Sequence, residues 1–162
     1  YAFNQPLTLP SSLSSIGNNF MYNCYAFNQP LTLPSGLSSI GTDFMRACYA
    51  FNQPLTLPSS LSSIGDYFVS YCFAFNQPLT LPSSLSSIGD YFMYNCYALS
   101  TIIWNASVYP TDINSLSQDI NTKTNSTSGA GIKVYGTKRV ELINALPNIT
   151  SNPYRKLING GS

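Results

Sequence analysis

The sequence predicts a repeat solenoid in which short parallel β-strands stack coil on coil, and three observations carry that reading. The stretch FNQPLTLPSSLSSIG at Phe3 returns almost letter for letter at Phe27, Phe51 and Phe75, 24 residues on each time. A fixed period of this size belongs to architectures in which one coil cannot bury its apolar face without a neighbour. Within each copy two leucines alternate with a threonine between prolines, the period-two pattern of a very short strand. Cysteine also returns in a single phase, at Cys24, Cys48, Cys72 and Cys96.

The coils run over residues 1–24, 25–48, 49–72 and 73–96, so residues 1–96 form four repeats. In the first, Leu7 and Leu9 point inward and Thr8 outward, and Pro6 and Pro10 limit the strand to about three or four residues. A second short strand is expected over residues 13–16, closed by Gly17, where a tight turn can take positive φ at no steric cost. The next position is Asn18, Thr42, Asp66 or Asp90. All four are good N-caps, which predicts a short helical or 3₁₀ segment carrying Phe20 and Met21. Positions that never vary between coils are the expected core: Phe3, Leu7, Leu9, Leu13, Ile16, Phe20 and Cys24, with their equivalents. Three varying columns are expected outside. They are Asn19, Asp43, Tyr67 and Tyr91; Tyr22, Arg46, Ser70 and Tyr94; and Asn23, Ala47, Tyr71 and Asn95.

After Cys96 the repeat decays. Thr101-Ile102-Ile103-Trp104 continues an apolar strand, Pro110 breaks it, and residues 121–131 read as a surface loop. Order resumes with a strand at residues 132–135 between Gly131 and Gly136. Thr137 can then cap a helix through Leu146, with Val140, Ile143 and Leu146 on one face and Pro147 as its stop. Residues 154–158 offer a last short strand. Residues 97–162 therefore read as a diverged final coil and a mixed α/β C-terminal cap over the open apolar end of the stack. Tyr1 opens a coil with no polar cap before it, so further repeats are expected on its N-terminal side.

Composition excludes several partners. Charged residues make up 8% of the chain, against roughly 25% in ordinary soluble domains. Of the seven basic residues only Arg46 lies within the repeats; the others are too dispersed to form the patch that a phosphate backbone needs, so no nucleic acid is expected. No apolar run approaches the roughly 20 residues of a membrane span.

Catalytic constellations are missing. The chain has no His, no phosphate-cradling glycine loop and no C-x-x-C spacing, so neither a nucleophilic site, a phosphate cradle, a metal site nor a cofactor is implied. Asp66 and Asp90 on adjacent coils would stand about 5 Å apart, the separation of a retaining glycosidase pair. A structural cap, however, explains all four residues of that column, and a catalytic dyad only two. The in-register cysteines point alike instead of converging, which predicts a buried ladder of free thiols rather than disulfides.

The run LTLPSSLSSIGDYFMYNC ending at Cys96 resembles the repeats of the BspA-like leucine-rich repeat surface proteins, whose coil reads L-x-x-I-x-[IL]-P-x-S-[VL]-x-x-I-G-x-x-[AY]-F-x-x-C. The FNQPL element is also similar to repeats in mycoplasma and related bacterial surface proteins. The resemblance covers residues 1–96 and is matched in four successive coils. It implies a right-handed leucine-rich-repeat solenoid displayed extracellularly or on a cell surface, with adhesion or binding roles and no enzymatic activity. In this chain Asn4-Gln5-Pro6 intervenes between Phe3 and Leu7, making the coil one residue longer than the family's usual one.

Candidate ligand contacts fall in two places. Tyr67 and Tyr91 share one varying column, with Tyr22, Tyr71 and Tyr94 beside it; such rings either form an adhesive surface or cover the turn beneath them. Thr32, Thr56 and Thr80 project outward from the same short strand and would form a polar column repeating at ~4.8 Å, either solvated or reading a partner that itself repeats. Rigid rings suit selective recognition better, so Tyr67, Tyr91 and Tyr94 are expected to carry more of the binding. Two functions remain. One is a non-enzymatic surface module that recognises a protein or glycan on another cell; the other is a structural spacer that holds another domain away from a cell or virion surface.

Overall fold

The computed structural model describes residues 2–109, 132–145 and 157–161 and winds the repeats into a parallel β-solenoid. One sheet is built from the Ser-Ile dipeptide of each repeat. Its strands are β1 (Ser15–Ile16), β2 (Ser39–Ile40), β3 (Ser63–Ile64) and β5 (Ser87–Ile88), all parallel, with Ser15 opposite Ser39 and Ile16 opposite Ile40. Flanking bonds extend the ladder: Ser38 N–H donates to the Ser14 carbonyl at 2.8 Å and Gly41 N–H to that of Ile16 at 2.9 Å. The strand expected from Leu13 shrinks to its last two residues, because the Leu13 N–H turns back to the Pro10 carbonyl at 3.1 Å. The glycine that follows is not at positive φ, as the sequence suggested; crowding explains it. A Cβ on Gly65 would lie 2.6 Å from the Gly41 carbonyl carbon, so only glycine lets the coils approach this closely.

The Leu-Thr-Leu segments keep the expected alternation: Leu31, Leu33, Leu55 and Leu57 are buried, and Thr32 and Thr56 exposed. They do not, however, pair with one another as a sheet. Prolines at both ends remove two donors and hold φ near −65°, which keeps equally bracketed neighbours from settling into a ladder. Pairing begins where one partner lacks proline. β4 (Leu79–Leu81) joins β6 (Thr101–Trp104), then β7 (Ile132–Tyr135) and β8 (Leu157–Asn159), all parallel, with Leu79 opposite Ile102.

The core lies between these faces. Phe27, Phe51 and Phe75 stack in one column at 5.8 to 5.9 Å, and Phe44 and Phe68 in a second at 5.2 Å, each ring fully buried. Each contributes about 1.5–3 kcal/mol of hydrophobic stabilisation. Phe3, on the end coil, is 37% exposed because no coil covers it.

α1 (Arg139–Ala145) packs on β8 and β6. It turns Leu142 and Ile143 toward the core and leaves Val140 out, correcting the predicted face: at about 100° per residue, Val140 lies some 200° from Leu142. Thr137 does not cap it: the helix begins at Arg139, with Leu142 N–H donating to the Lys138 carbonyl, so the cap position falls to Lys138, while Thr137 N–H and Oγ1 donate to Asn105 Oδ1 at 2.9 and 3.2 Å. The expectations for Pro110, the 121–131 loop, Leu146, Pro147 and residues 154–156 lie outside the described residues.

Where a short helical segment was expected, each coil makes successive tight turns instead. Tyr22 N–H returns to the Asn19 carbonyl at 3.4 Å and Cys24 N–H to that of Met21 at 3.2 Å. Asn19 and Asn23 are left-handed, at φ 59° and 61°. With those two residues turned over, the N–H groups of Asn19, Met21 and Asn23 reach the next coil, donating to the carbonyls of Thr42, Phe44 and Arg46 at 2.8, 2.7 and 2.9 Å. A helix would spend these donors on itself. Asn18 and Asp66 likewise serve the following coil rather than capping their own, accepting from Thr42 N–H at 2.9 Å and Asp90 N–H at 2.8 Å.

Candidate aromatic binding face

The turn that ends each coil decides where its aromatic residues go. Phe51 N–H donates to the Cys48 carbonyl at 3.1 Å, and the chain then runs extended, so Phe51 enters the core while Tyr49, two residues earlier, stays outside. The same step repeats along the stack. Tyr25, Tyr49, Phe73 and Tyr97 form a column with ring centroids 4.8, 4.8 and 5.2 Å apart and planes inclined by 12° to 23°. Tyr25 and Tyr49 are each 41% exposed and Phe73 36%.

A second group of rings stands on unusual backbone. Tyr67, Tyr71 and Tyr91 have φ of 53°, 59° and 54°. This region costs an ordinary L-residue roughly 1–2 kcal/mol, and Asn and Asp enter it most easily. Of the equivalent positions in other coils, Asn19, Asp43, Asn23 and Asn95 follow that rule, and Ala47, at φ 62°, does not. Tyrosine at these positions is placed against the local preference of the chain. Tyr67 stacks on Tyr91 at 5.2 Å, Tyr91 and Tyr71 each meet Tyr94 edge-on at 5.5 Å, and Tyr71 meets Phe73 edge-on at 6.3 Å. The two groups thus form one connected face.

Arg46 sits within it. Its guanidinium carbon lies 4.4 Å from the Tyr67 ring centroid, 5.5 Å from that of Tyr71 and 5.7 Å from that of Tyr22. Its Nη1 donates to Asp43 Oδ1 at 3.2 Å. Burial, and then the phenols of Tyr25, Tyr22 and Tyr71, push the Tyr49 hydroxyl above its ordinary pKa, so it stays a neutral donor and acceptor.

The structure brings together the predicted contacts Tyr22, Tyr67, Tyr71, Tyr91 and Tyr94. Three residues expected outside are buried: Ala47, Asn95 and Ser70, whose Oγ donates to the Tyr67 carbonyl at 3.1 Å. Small side chains at these positions fold under the turn instead of projecting from it. Thr32, Thr56 and Thr80 are exposed, and no strand pairing joins their segments in the first three coils. There Pro30, Leu31, Thr32, Pro54, Thr56 and Pro58 are among the residues lining an open groove of about 640 Å³. Sequence reasoning missed the column of Tyr25, Tyr49, Phe73 and Tyr97. Its signal was an aromatic residue immediately after each cysteine, a column that belongs neither to the invariant core positions nor to the three varying columns.

The cysteines are free thiols. Cys48, Cys72 and Cys96 are buried, and each Sγ–H donates to a carbonyl of the preceding coil, Cys48 and Cys72 to Met21 and Met45 at 3.2 Å and Cys96 to Val69 at 3.1 Å. Burial pushes the Cys48 thiol up to about 12 and Cys72 well above its ordinary value. Among the described residues no group of three or more His, Cys, Asp or Glu could hold a metal ion, and no helix is long and apolar enough to cross a membrane.

A family model described as the BspA type leucine rich repeat region, in six copies, matches residues 2–123 and 48–150. Among solved structures, the crystal structure of a leucine-rich repeat protein of T. pallidum is similar at 15% identity and a TM-score of 0.51, over 95% of this chain and 85% of that one. That of the pneumococcal vaccine antigen PcpA is similar at 15% identity and a TM-score of 0.47, over 95% of this chain and 44% of that one. Likeness at this identity concerns the fold alone. No curated protein sequence matches the chain.

Proposed function

Starting from the premise that the chain belongs to the BspA-type leucine-rich repeat family, we propose that it is a non-enzymatic, surface-displayed binding or adhesion module that uses its aromatic face. One observation carries the proposal: Tyr67, Tyr71 and Tyr91 occupy left-handed positions that Asn or Asp would fill at lower cost. Strain kept at exposed or half-exposed aromatic residues points to a use outside the fold. Tyrosine and arginine are also the side chains that dominate protein-binding hot spots, and both meet here. The module acts on a protein or glycan of another cell.

The test is saturable binding. Labelled chain is titrated onto candidate host cells and onto glycan and protein arrays, beside the variant with Tyr67, Tyr91 and Tyr94 changed to Ser. The proposal expects a saturable isotherm that weakens tenfold or more, a loss on the order of 1.4 kcal/mol or above, in the variant. A structural spacer shows no saturable binding. Retained affinity in the tyrosine variant, with loss when Thr32, Thr56 and Thr80 become Lys, moves the site to the groove side.

A further inference from the structure

Accepting the aromatic face as the binding surface, its ring geometry and its one cation narrow the class of partner. A sugar docks by laying its C–H face on an exposed aromatic face. In the column of Tyr25, Tyr49, Phe73 and Tyr97 each inner ring lies nearly parallel to its neighbours at 4.8 to 5.2 Å, so its two π-faces are already covered. Tyr67 likewise has Tyr91 at 5.2 Å and the Arg46 guanidinium at 4.4 Å. Toward solvent this surface presents ring edges and phenolic hydroxyls. Edges are the electropositive part of the ring quadrupole, and hydroxyls both donate and accept.

Arg46 adds charge at a fixed place. It is the sole basic residue of the four repeats, and its side chain keeps 31% of its exposure. The Tyr67 ring, 4.4 Å away, and Asp43, which holds Nη1 through a single oxygen, fix the guanidinium in place. No further hydrogen bond engages its Nε or Nη2 among the described residues. A planar donor edge pre-oriented in this way suits a carboxylate, which can take two parallel N–H bonds. Positive ring edges around it favour the same charge.

We infer that the face receives an acidic peptide segment of a protein partner, with one carboxylate on Arg46 and neighbouring aliphatic groups against the ring edges of Tyr22, Tyr49, Tyr71 and Phe73. A glycan is disfavoured because the faces of Tyr49, Phe73 and Tyr67, at the centre of the surface, are occupied.

The experiment offers the full chain both ligand classes at once: a random dodecapeptide library on phage, and an array of neutral, sialylated and sulfated glycans. The expected result is peptides enriched in Asp or Glu beside aliphatic residues. A synthesised winner should lose at least about tenfold in affinity to Arg46→Gln, and less to Arg46→Lys, which keeps the charge without the planar fork. Binding should also weaken with rising salt in the wild type and lose that dependence in Arg46→Gln. Changing the peptide's own carboxylates to amides removes the same contact without touching the protein, so the inference is tested even if a protein variant folds poorly. Three results overturn it while leaving the binding module standing: winning peptides without acidic enrichment, amide peptides that bind as well, or capture of glycans alone. No ligand in either arm overturns both.

Discussion

Neighbouring coils are held together in different ways on two sides of this solenoid. On the Ser-Ile-Gly side and through the turns that follow it, main-chain groups meet directly, as in Gly65 N–H to Ile40 at 2.8 Å and Met45 N–H to Phe68 at 2.8 Å. On the Leu-Thr-Leu side of the first three coils no main-chain bond joins residues 31–33 to 55–57. Asparagine does that work instead. Asn28 Oδ1 accepts from Asn52 N–H at 2.9 Å and Gln53 Nε2 at 3.2 Å, and Asn52 Oδ1 repeats both bonds with Asn76 and Gln77. Main-chain contact requires glycine, whereas side-chain contact accepts prolines and leaves an open groove there. A repeat can therefore stay nearly invariant for opposite reasons on its two sides.

The largest expected effect breaks the close side. Gly65→Ala sets a Cβ 2.6 Å from the Gly41 carbonyl carbon and 2.7 Å from Thr42 N, which only a parting of the coils can relieve. A loss of about 4 kcal/mol or more in urea unfolding is expected, at the upper end of single substitutions. Gly36 is the control: nothing lies within 4 Å of its added Cβ, and Gly36→Ser restores the residue that Ser12, Ser60 and Ser84 supply elsewhere. It should be neutral or gain about 0.5 kcal/mol. Equal losses in both would refute the contrast.

The cysteine column sharpens the same side through pH. The thiolate is the charged form, and burial holds the Cys48 proton to about pH 12, whereas the unfolded chain releases it near 9.0. The folded pKa is raised, so the contribution is complete below pH 9 and is lost as pH climbs toward 12. Urea midpoints should fall across that range, and less steeply in Cys48→Ala. In native protein a thiol reagent should find half-buried Cys24 first and Cys48, Cys72 and Cys96 only on unfolding. Rapid modification of all four would contradict the burial.

On the looser side the effect is smaller. Asn52→Ala removes the acceptor of two donors, Asn76 N–H and Gln77 Nε2, which should cost about 0.5–1.5 kcal/mol. Thr56→Ala, on the same segment but exposed, should cost almost nothing. If Asn52→Ala is as mild as Thr56→Ala, the amide ladder does not hold this side.

Much of this was legible in the residues. The 24-residue period sets the coils, and Leu-Thr-Leu sets inside against outside because strand side chains alternate by geometry. Three features were not legible, each for a physical reason. Gly41, Gly65 and Gly89 looked like turn residues because crowding between coils leaves no local trace. The left-handed turns were hinted at by Asn19, Asp43, Asn23 and Asn95, but tyrosines in the same columns hid the hint. The column of Tyr25, Tyr49, Phe73 and Tyr97 was not legible because an aromatic residue that hardly varies marks neither a buried nor a selective position by itself. A residue that stacks on its own copies is constrained by them even at the surface.

The last prediction asks whether the tyrosines serve the fold or a partner. Tyr67→Asn relieves the left-handed backbone by about 1 kcal/mol. It also loses a ring stack and a cation–π contact, worth about 0.5–1.5 and 0.5–1 kcal/mol. The relief offsets much of the loss, so stability should stay within about 1.5 kcal/mol of the wild type while binding falls about threefold. Tyr67→Val separates the terms: it loses the same contacts but keeps the strained φ of 53°, which a β-branched side chain tolerates least, so it should be less stable than Tyr67→Asn by about 1 kcal/mol or more. Both variants are compared by thermal unfolding and by titration of a peptide selected on the wild type. A loss near 3 kcal/mol in Tyr67→Asn, with peptide affinity unchanged, would make the ring a cover for the turn. The aromatic face would then be one more side on which the coils hold each other.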